Sequence, residues 1–183
     1  VVFVLSDDRE FRFIDTRRLG QMWLLEDPRL LFGHLGPEPL SDGFTVGVLE
    51  RALAGRKAQL KALLCDQSFI AGIGNIYADE ILFCAGISPF KTADMLGFEE
   101  IEVLHQCIIG TLDWAIKILS SNMSEENMLP TSSLDIKGLL WVPRSEGAPC
   151  VTCETPISRT LIRGRSAYYC AFCQSDSRLG IEF

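Results

Sequence analysis

Two pairs of cysteines constrain this chain more than anything else in it: Cys150-x2-Cys153, then 16 residues, then Cys170-x2-Cys173. Each CxxC sets two sulfurs on one turn, and two such turns facing each other make a closed tetrahedral site for Zn2+. The spacer "ETPISRTLIRGRSAYY" has the length of a β-hairpin, so the tail is predicted to be a zinc ribbon. Four thiolates leave no coordination position for water, which makes the expected single metal structural. Such a site can contribute ~10–16 kcal/mol to folding, enough to hold a ribbon that has almost no core.

The remaining cysteines fit the same reading. There are seven in 183 residues, an odd number, and no export signal precedes them. Reduced thiols and a metal are therefore expected, not a disulfide framework. Cys65, Cys84 and Cys107 fall on helical stretches without a paired spacing and are expected as small core residues. His34 and His105 have no partner pattern and are expected to be structural. No apolar run reaches the length of a membrane span. The net charge of -7 argues against a nucleic-acid partner only weakly, because binding depends on a local face. Between 136 and 165, Lys137, Arg144, Arg159, Arg163 and Arg165 face only Glu146 and Glu154.

Ahead of the cysteines the pattern is α+β. "VVFVL" and "FRFI", joined by the polar "SDDRE", predict a β-hairpin, and "GQMWLLED" a further strand. "HLGPEPLSDGF" has the composition of a linker. "FTVGVLERALAG" and "KAQLKALLCDQ" predict short helices separated at Gly55, and residues 75 to 85 a third. Ile101, Leu104, Ile108, Leu112, Ala115 and Leu119 recur every three or four positions, so an amphipathic helix is expected over about 98 to 119.

"IAGIGNIYADE" resembles a dinucleotide fingerprint but lacks its third glycine, which is Tyr77, and no strand precedes it. A helix, a glycine turn and a second helix remain, with Asn75 expected as the N-cap. A helix N-terminus with bare N–H groups is an anion site, or simply a capped turn. Lys61, on the preceding helix, is equally open. Arg163 and Arg165 flank Gly164 at the expected hairpin turn, where they are either phosphate ligands or solvated. In "DTRRLG", Arg17, Arg18 and Leu19 form either a surface loop or a group that enters a DNA stack, with Leu19 as wedge.

Taken together, "DTRRLG", "HLGPEPLSDGF", "LKALLCDQSFIAGIGNIYADEILFCAGISP" and "GAPCVTCETPISRTLIRGRSAYYCAFCQ" resemble the formamidopyrimidine-DNA glycosylase family, which includes endonuclease VIII, in that order and at those distances. The resemblance implies the remnant of an N-terminal β-sandwich over 1–40, a helix–two-turn–helix domain over 41–140 and a zinc finger over 141–183. It implies base-excision repair of oxidised purines by a glycosylase with abasic-site lyase activity. The implied partner is double-stranded DNA carrying an oxidised purine or an abasic site. A monomer in the bacterial cytoplasm, at the nucleoid and off the membrane, goes with this. Lys61, Asn75 and Arg165 are implied to reach phosphate near the extruded nucleotide. Arg17 is implied to face the base left behind, with Arg18 and Leu19 beside it.

The family's nucleophile is an N-terminal proline followed by glutamate, and no such pair opens this sequence. The catalytic residues are therefore expected upstream of Val1, and the chain as written is expected to bind DNA and zinc without excising a base. A non-catalytic DNA-binding fragment or a degraded paralogue is the alternative. Three departures bear on lesion preference, one being that residues 120 to 141 hardly match the loop that covers the flipped base in the family. Leu19 stands where a phenylalanine is usual, and "VPRS" from Val142 replaces "VYGR", which moves the arginine to Arg144.

Overall fold

The computed structural model describes residues 1–15, 18–121 and 136–175. It forms two compact units, Val1–Gly33 and His34–Phe183. In the first, β1 (Val2–Val4) pairs antiparallel with β2 (Glu10–Arg12), Phe3 opposite Phe11, as the sequence predicts. The strand expected at "GQMWLLED" is not formed. A ladder needs a second backbone to take its N–H and C=O groups, and alternating apolar side chains do not supply one. Met22, Trp23 and Leu24 instead join Phe3, Leu5 and Phe11 around an apolar hollow of about 450 Å3. A helix that the sequence reading does not foresee, α1 (Arg29–Phe32), follows. Pro28 already has a helical φ of -62°, and the Asp27 carboxylate accepts the Arg29 N–H at 2.9 Å.

The second unit is built on four helices, α2 (Val46–Leu53), α3 (Leu60–Leu64), α4 (Asn75–Cys84) and α5 (Phe98–Ser121). Thr45 caps α2 by accepting the Val48 N–H, and Gly55, at φ 71°, lets the chain leave it. Helix α5 buries Ile101, Leu104, Ile108 and Ala115 of the stripe its periodicity predicts and leaves Leu112 and Leu119 half-buried. Helix α4 differs, since every residue from Ala78 to Cys84 is buried. It packs against α3, α5 and the cysteine hairpin at once, which explains a helix apolar on all sides.

The Pro/Gly-rich segment before α2 is more than a linker. The Gly36 N–H donates to Gln67 O at 2.8 Å and the Ala71 N–H to Pro37 O at 3.1 Å, so the segment lies along the α3–α4 connection. A Cβ at Gly36 would stand 2.5 Å from the Phe69 carbonyl, which only glycine avoids.

Cys84 and Cys107 are not the free core thiols that the sequence reading expects. They form a disulfide that joins the end of α4 to α5. Their Cα atoms lie 5.8 Å apart, within the range a bridge requires. Cys65 remains a buried free thiol. Beyond α5, the loop expected at "SSNMSEENMLPTSS" falls almost wholly outside the described residues. The chain resumes with a 3-10 turn at Ile136–Leu139 and ends in a hairpin of β3 (Ser158–Ile162) and β4 (Arg165–Tyr169). Among the described residues, no helix is long and apolar enough to cross a membrane.

Candidate cysteine centre and nucleic-acid interface

The four predicted cysteines converge. Their sulfurs lie within 4.8 Å of one another, and Cys150, Cys170 and Cys173 are buried. Cys150 to Cys173 is 3.9 Å, Cys153 to Cys170 is 3.5 Å and Cys153 to Cys173 is 3.4 Å. Besides the cysteines, the buried cluster around them holds Phe83, Val142 and Ile157 among the described residues. Thr155 beside Cys153 lowers its thiol to about 6, whereas burial raises Cys170 and Cys173. Four sulfurs this close, set on so small an apolar base, form a group that can hold a metal ion.

The hairpin that carries them turns through Arg163 (φ 47°) and Gly164 (φ 77°). Two consecutive positive φ values make the tight turn that matches strand twist, and they leave Arg163 and Arg165 exposed at its tip. Arg165 comes to lie beside α3. Together with Lys61, Cys65, Asp66, Gln67 and Arg163 it lines a cavity of about 340 Å3. Burial pushes the Cys65 thiol up, while the Lys61 and Arg165 charges oppose this, in keeping with their closeness.

Asn75 touches the two elements that carry Lys61 and Arg165. The sequence reading expects Asn75 as the N-cap, but the cap is Gly74, and Asn75 is the first residue of α4. Its side chain is freed from capping, and its Nδ2 donates instead to Ser166 O on β4 at 2.9 Å. The glycine turn before it is clasped by Gln67, whose Oε1 accepts the Gly72 N–H at 2.8 Å and whose Nε2 donates to Ile73 O at 2.9 Å. Gly72 has a φ of 82°, which an L side chain rarely adopts.

Lys61 is 1 % exposed, and its ammonium lies 2.7 Å from Asp79 Oδ1 while donating to the Asn75 carbonyl. Burial lowers its pKa, and the Asp79 carboxylate works against that shift. Asp79 Oδ2 takes the Arg144 guanidinium and, at 3.3 Å, the Tyr168 N–H. Its neighbour Glu80 accepts from Trp141 N at 2.8 Å and from Val142 N at 3.0 Å. Burial raises the Glu80 carboxyl to about 7, although both N–H bonds pull it down.

The sequence reading assigns no role to Asp79 and Glu80. The signal is there: two adjacent acids inside a helix apolar on every face cannot both reach solvent, so each needs an internal partner. In the other unit, Arg18 has a φ of 55° and Leu19 is 71 % exposed, while Arg17 lies outside the described residues. His105 is structural as expected, its ring stacked on Phe44 and its Nε2 2.8 Å from Phe44 O.

The four-cysteine hairpin is thus held against a buried helix that follows a glycine turn. Residues 35–126 match the family model described as the formamidopyrimidine-DNA glycosylase H2TH domain. The chain belongs to the formamidopyrimidine-DNA glycosylase family. It is 38% identical over 177 residues to the formamidopyrimidine-DNA glycosylase of Acaryochloris marina, across 93% of this chain and 62% of that protein. The chain thus spans less than two thirds of that relative's length. The MutM (Fpg) protein of Thermus thermophilus superposes with a TM-score of 0.81 at 35% identity, over 97% of this chain and 68% of that one. The Lactococcus lactis Fpg in complex with a FAPY-dG containing DNA gives 0.67 at 31% identity, over 81% and 54%.

Proposed function

We propose that this chain is the DNA-holding part of a base-excision repair glycosylase that removes oxidised purines from double-stranded DNA and cuts the resulting abasic site, acting at the bacterial nucleoid. One observation carries this reading. Lys61 of α3 and Arg165 of β4 line one cavity with Arg163, and Asn75 at the start of α4 is tied to both elements, its carbonyl accepting from Lys61 and its amide donating to Ser166 O. That is a backbone-phosphate site by its chemistry: a guanidinium, an amide and an ammonium beside N–H groups. An asparagine amide carries two hydrogens, so the bond to Ser166 leaves one for a phosphate oxygen. Lys61, already paired with Asp79, acts there as a buried charge more than as a free hand. Arg17, Arg18 and Leu19 are proposed to enter the space left by the extruded base.

The same reading divides the chain into part of a β-sandwich (1–40), a helix–two-turn–helix domain (41–140) and a zinc finger (141–183). Zinc fits the cysteine centre on geometry. A tetrahedron with Zn–S bonds of about 2.3 Å has S···S edges of roughly 3.8 Å; three of the six sulfur pairs here lie at 3.4–3.9 Å, and all four sulfurs lie within 4.8 Å of one another.

The test is duplex binding by fluorescence anisotropy over a series of salt concentrations. Arg165→Ala and Asn75→Ala should each weaken binding for every sequence alike and flatten the slope of log K against log salt by ~0.9. Wild-type slopes in both variants, or losses confined to one base context, would remove these residues from the phosphate backbone.

A further inference from the structure

We infer that Asp79 is a positioning residue, whose single buried carboxylate fixes the cysteine hairpin against α3 and α4 so that Arg165 stands beside Lys61 and Asn75. The carboxylate is 1 % exposed and serves three elements at once. Oδ1 lies 2.7 Å from the Lys61 ammonium of α3. Oδ2 takes the Arg144 guanidinium from the segment that leads into the cysteine module, and the Tyr168 N–H of β4 at 3.3 Å. Arg144 in turn lies over the Tyr168 ring, 4.4 Å from its centroid, so the guanidinium is clamped between carboxylate and ring.

The hairpin therefore has two fastenings to α4 on this side. One is the Asn75–Ser166 bond at the helix start, and the other is Asp79 one turn on. Both contacts use backbone groups, Ser166 O and Tyr168 N–H, two residues apart and hence on one edge of β4, the edge away from β3, where Arg165 pairs with Ile162. Two fastenings along one edge fix both where the strand lies and the direction in which it runs to Arg165. With the Asp79 fastening gone, the strand can pivot about Asn75 and carry Arg165 away from the cavity. The charge count favours the same role. Lys61 and Arg144 bring two positive charges into the interior, and Asp79 is the carboxylate that contacts both. An arginine displaced by one place from the usual family position is thus put to use, and its partner is a residue of α4.

The affinity arm of the test rests on the DNA-binding reading above; the exchange arm does not. Hydrogen exchange by NMR is measured on the zinc-loaded protein and on Asp79→Asn. The Tyr168 amide should lose at least tenfold protection, while the cross-strand amides of β3 and β4 keep theirs and the four cysteines keep their metal. In duplex binding, Asp79→Asn should lose affinity about tenfold or more and lower the salt slope by ~0.9, the signature of one lost phosphate contact. A partly unfolded protein would lower the active fraction and leave that slope unchanged. If Asp79→Asn fails to fold, Arg144→Met removes one arm only and should show the same two effects in smaller degree. An unchanged Tyr168 amide in the variant overturns the positioning role whether or not the protein binds DNA. An exposed Tyr168 amide with wild-type affinity and slope overturns the link to Arg165. Failure of wild-type protein to bind DNA, with the exchange result as expected, refutes the DNA reading and leaves the fastening established.

Discussion

Glu80 should make the stability of this protein fall as pH rises from 4.5 to 7. Its carboxyl is fully buried on α4 and is pushed up to about 7, first by burial. In the unfolded chain the same group titrates near its ordinary value of 4.5. Between those two values the folded state holds a proton that the unfolded state has released, so the slope of unfolding free energy with pH is negative. A difference of about 2.5 units at 1.36 kcal/mol each corresponds to about 3 kcal/mol lost between pH 4.5 and 7, with nothing further lost above. The variant Glu80→Gln is uncharged at every pH. Its amide oxygen can accept one of the two N–H groups of Trp141 and Val142, and its NH2 must face the other. It should therefore start about 1–3 kcal/mol lower at acid pH and gain on the wild type as pH rises. Urea melts at steps of half a pH unit, followed by tryptophan fluorescence, measure both curves. Trp141 stacks on Trp114 with ring centroids 4.5 Å apart, so the emission reports on this contact directly. The difference between the two curves isolates Glu80 from every other titrating group. Parallel curves from pH 4.5 to 7 would refute the buried-carboxyl argument.

Metal analysis should find one zinc per chain, and Cys170→Ala should abolish it and unfold the hairpin, since a two-stranded ribbon is barely stable alone. Zinc-free reduced protein with an ordered hairpin would contradict this. The bridge between Cys84 and Cys107 closes a loop of 23 residues. On the chain-entropy account it is worth about 3 kcal/mol, so a Cys84→Ala/Cys107→Ala protein should unfold at correspondingly lower urea. Alkylation of both thiols in non-reduced native protein would show that the pair is open.

Where the sequence is legible, the reason is local physics. The two CxxC turns, the stripe of α5 and the Gly164 hairpin are each specified within a few residues, and each is present in the structure. What the sequence conceals depends on a distant partner. Residues 20 to 27 have the apolar content of a strand, yet no described backbone pairs with them. The Cys84–Cys107 bridge is set by how α4 crosses α5, which no spacing encodes. The cap of α4 is Gly74 and not Asn75 although both residue types serve as N-caps, and the Asn75 amide is spent on Ser166, 91 residues away. Asp79 and Glu80 are legible only once α4 is known to be buried on every side, because such a helix cannot carry free acids.

That distance has a consequence for how the protein is made. The Asp79–Tyr168 and Asn75–Ser166 bonds join residues 89 and 91 positions apart, whereas the helices around α4 meet through much shorter separations. At about 5–20 residues per second on the ribosome, β4 is synthesised roughly 4–18 s after α4. Through that interval the helical unit can condense, but the acid-bearing face of α4 stays hydrated, waiting for a strand that does not yet exist. The cysteine hairpin thus arrives after the helices it docks on, and its docking converts the solvated Asp79 carboxylate into an interior fastening of the site.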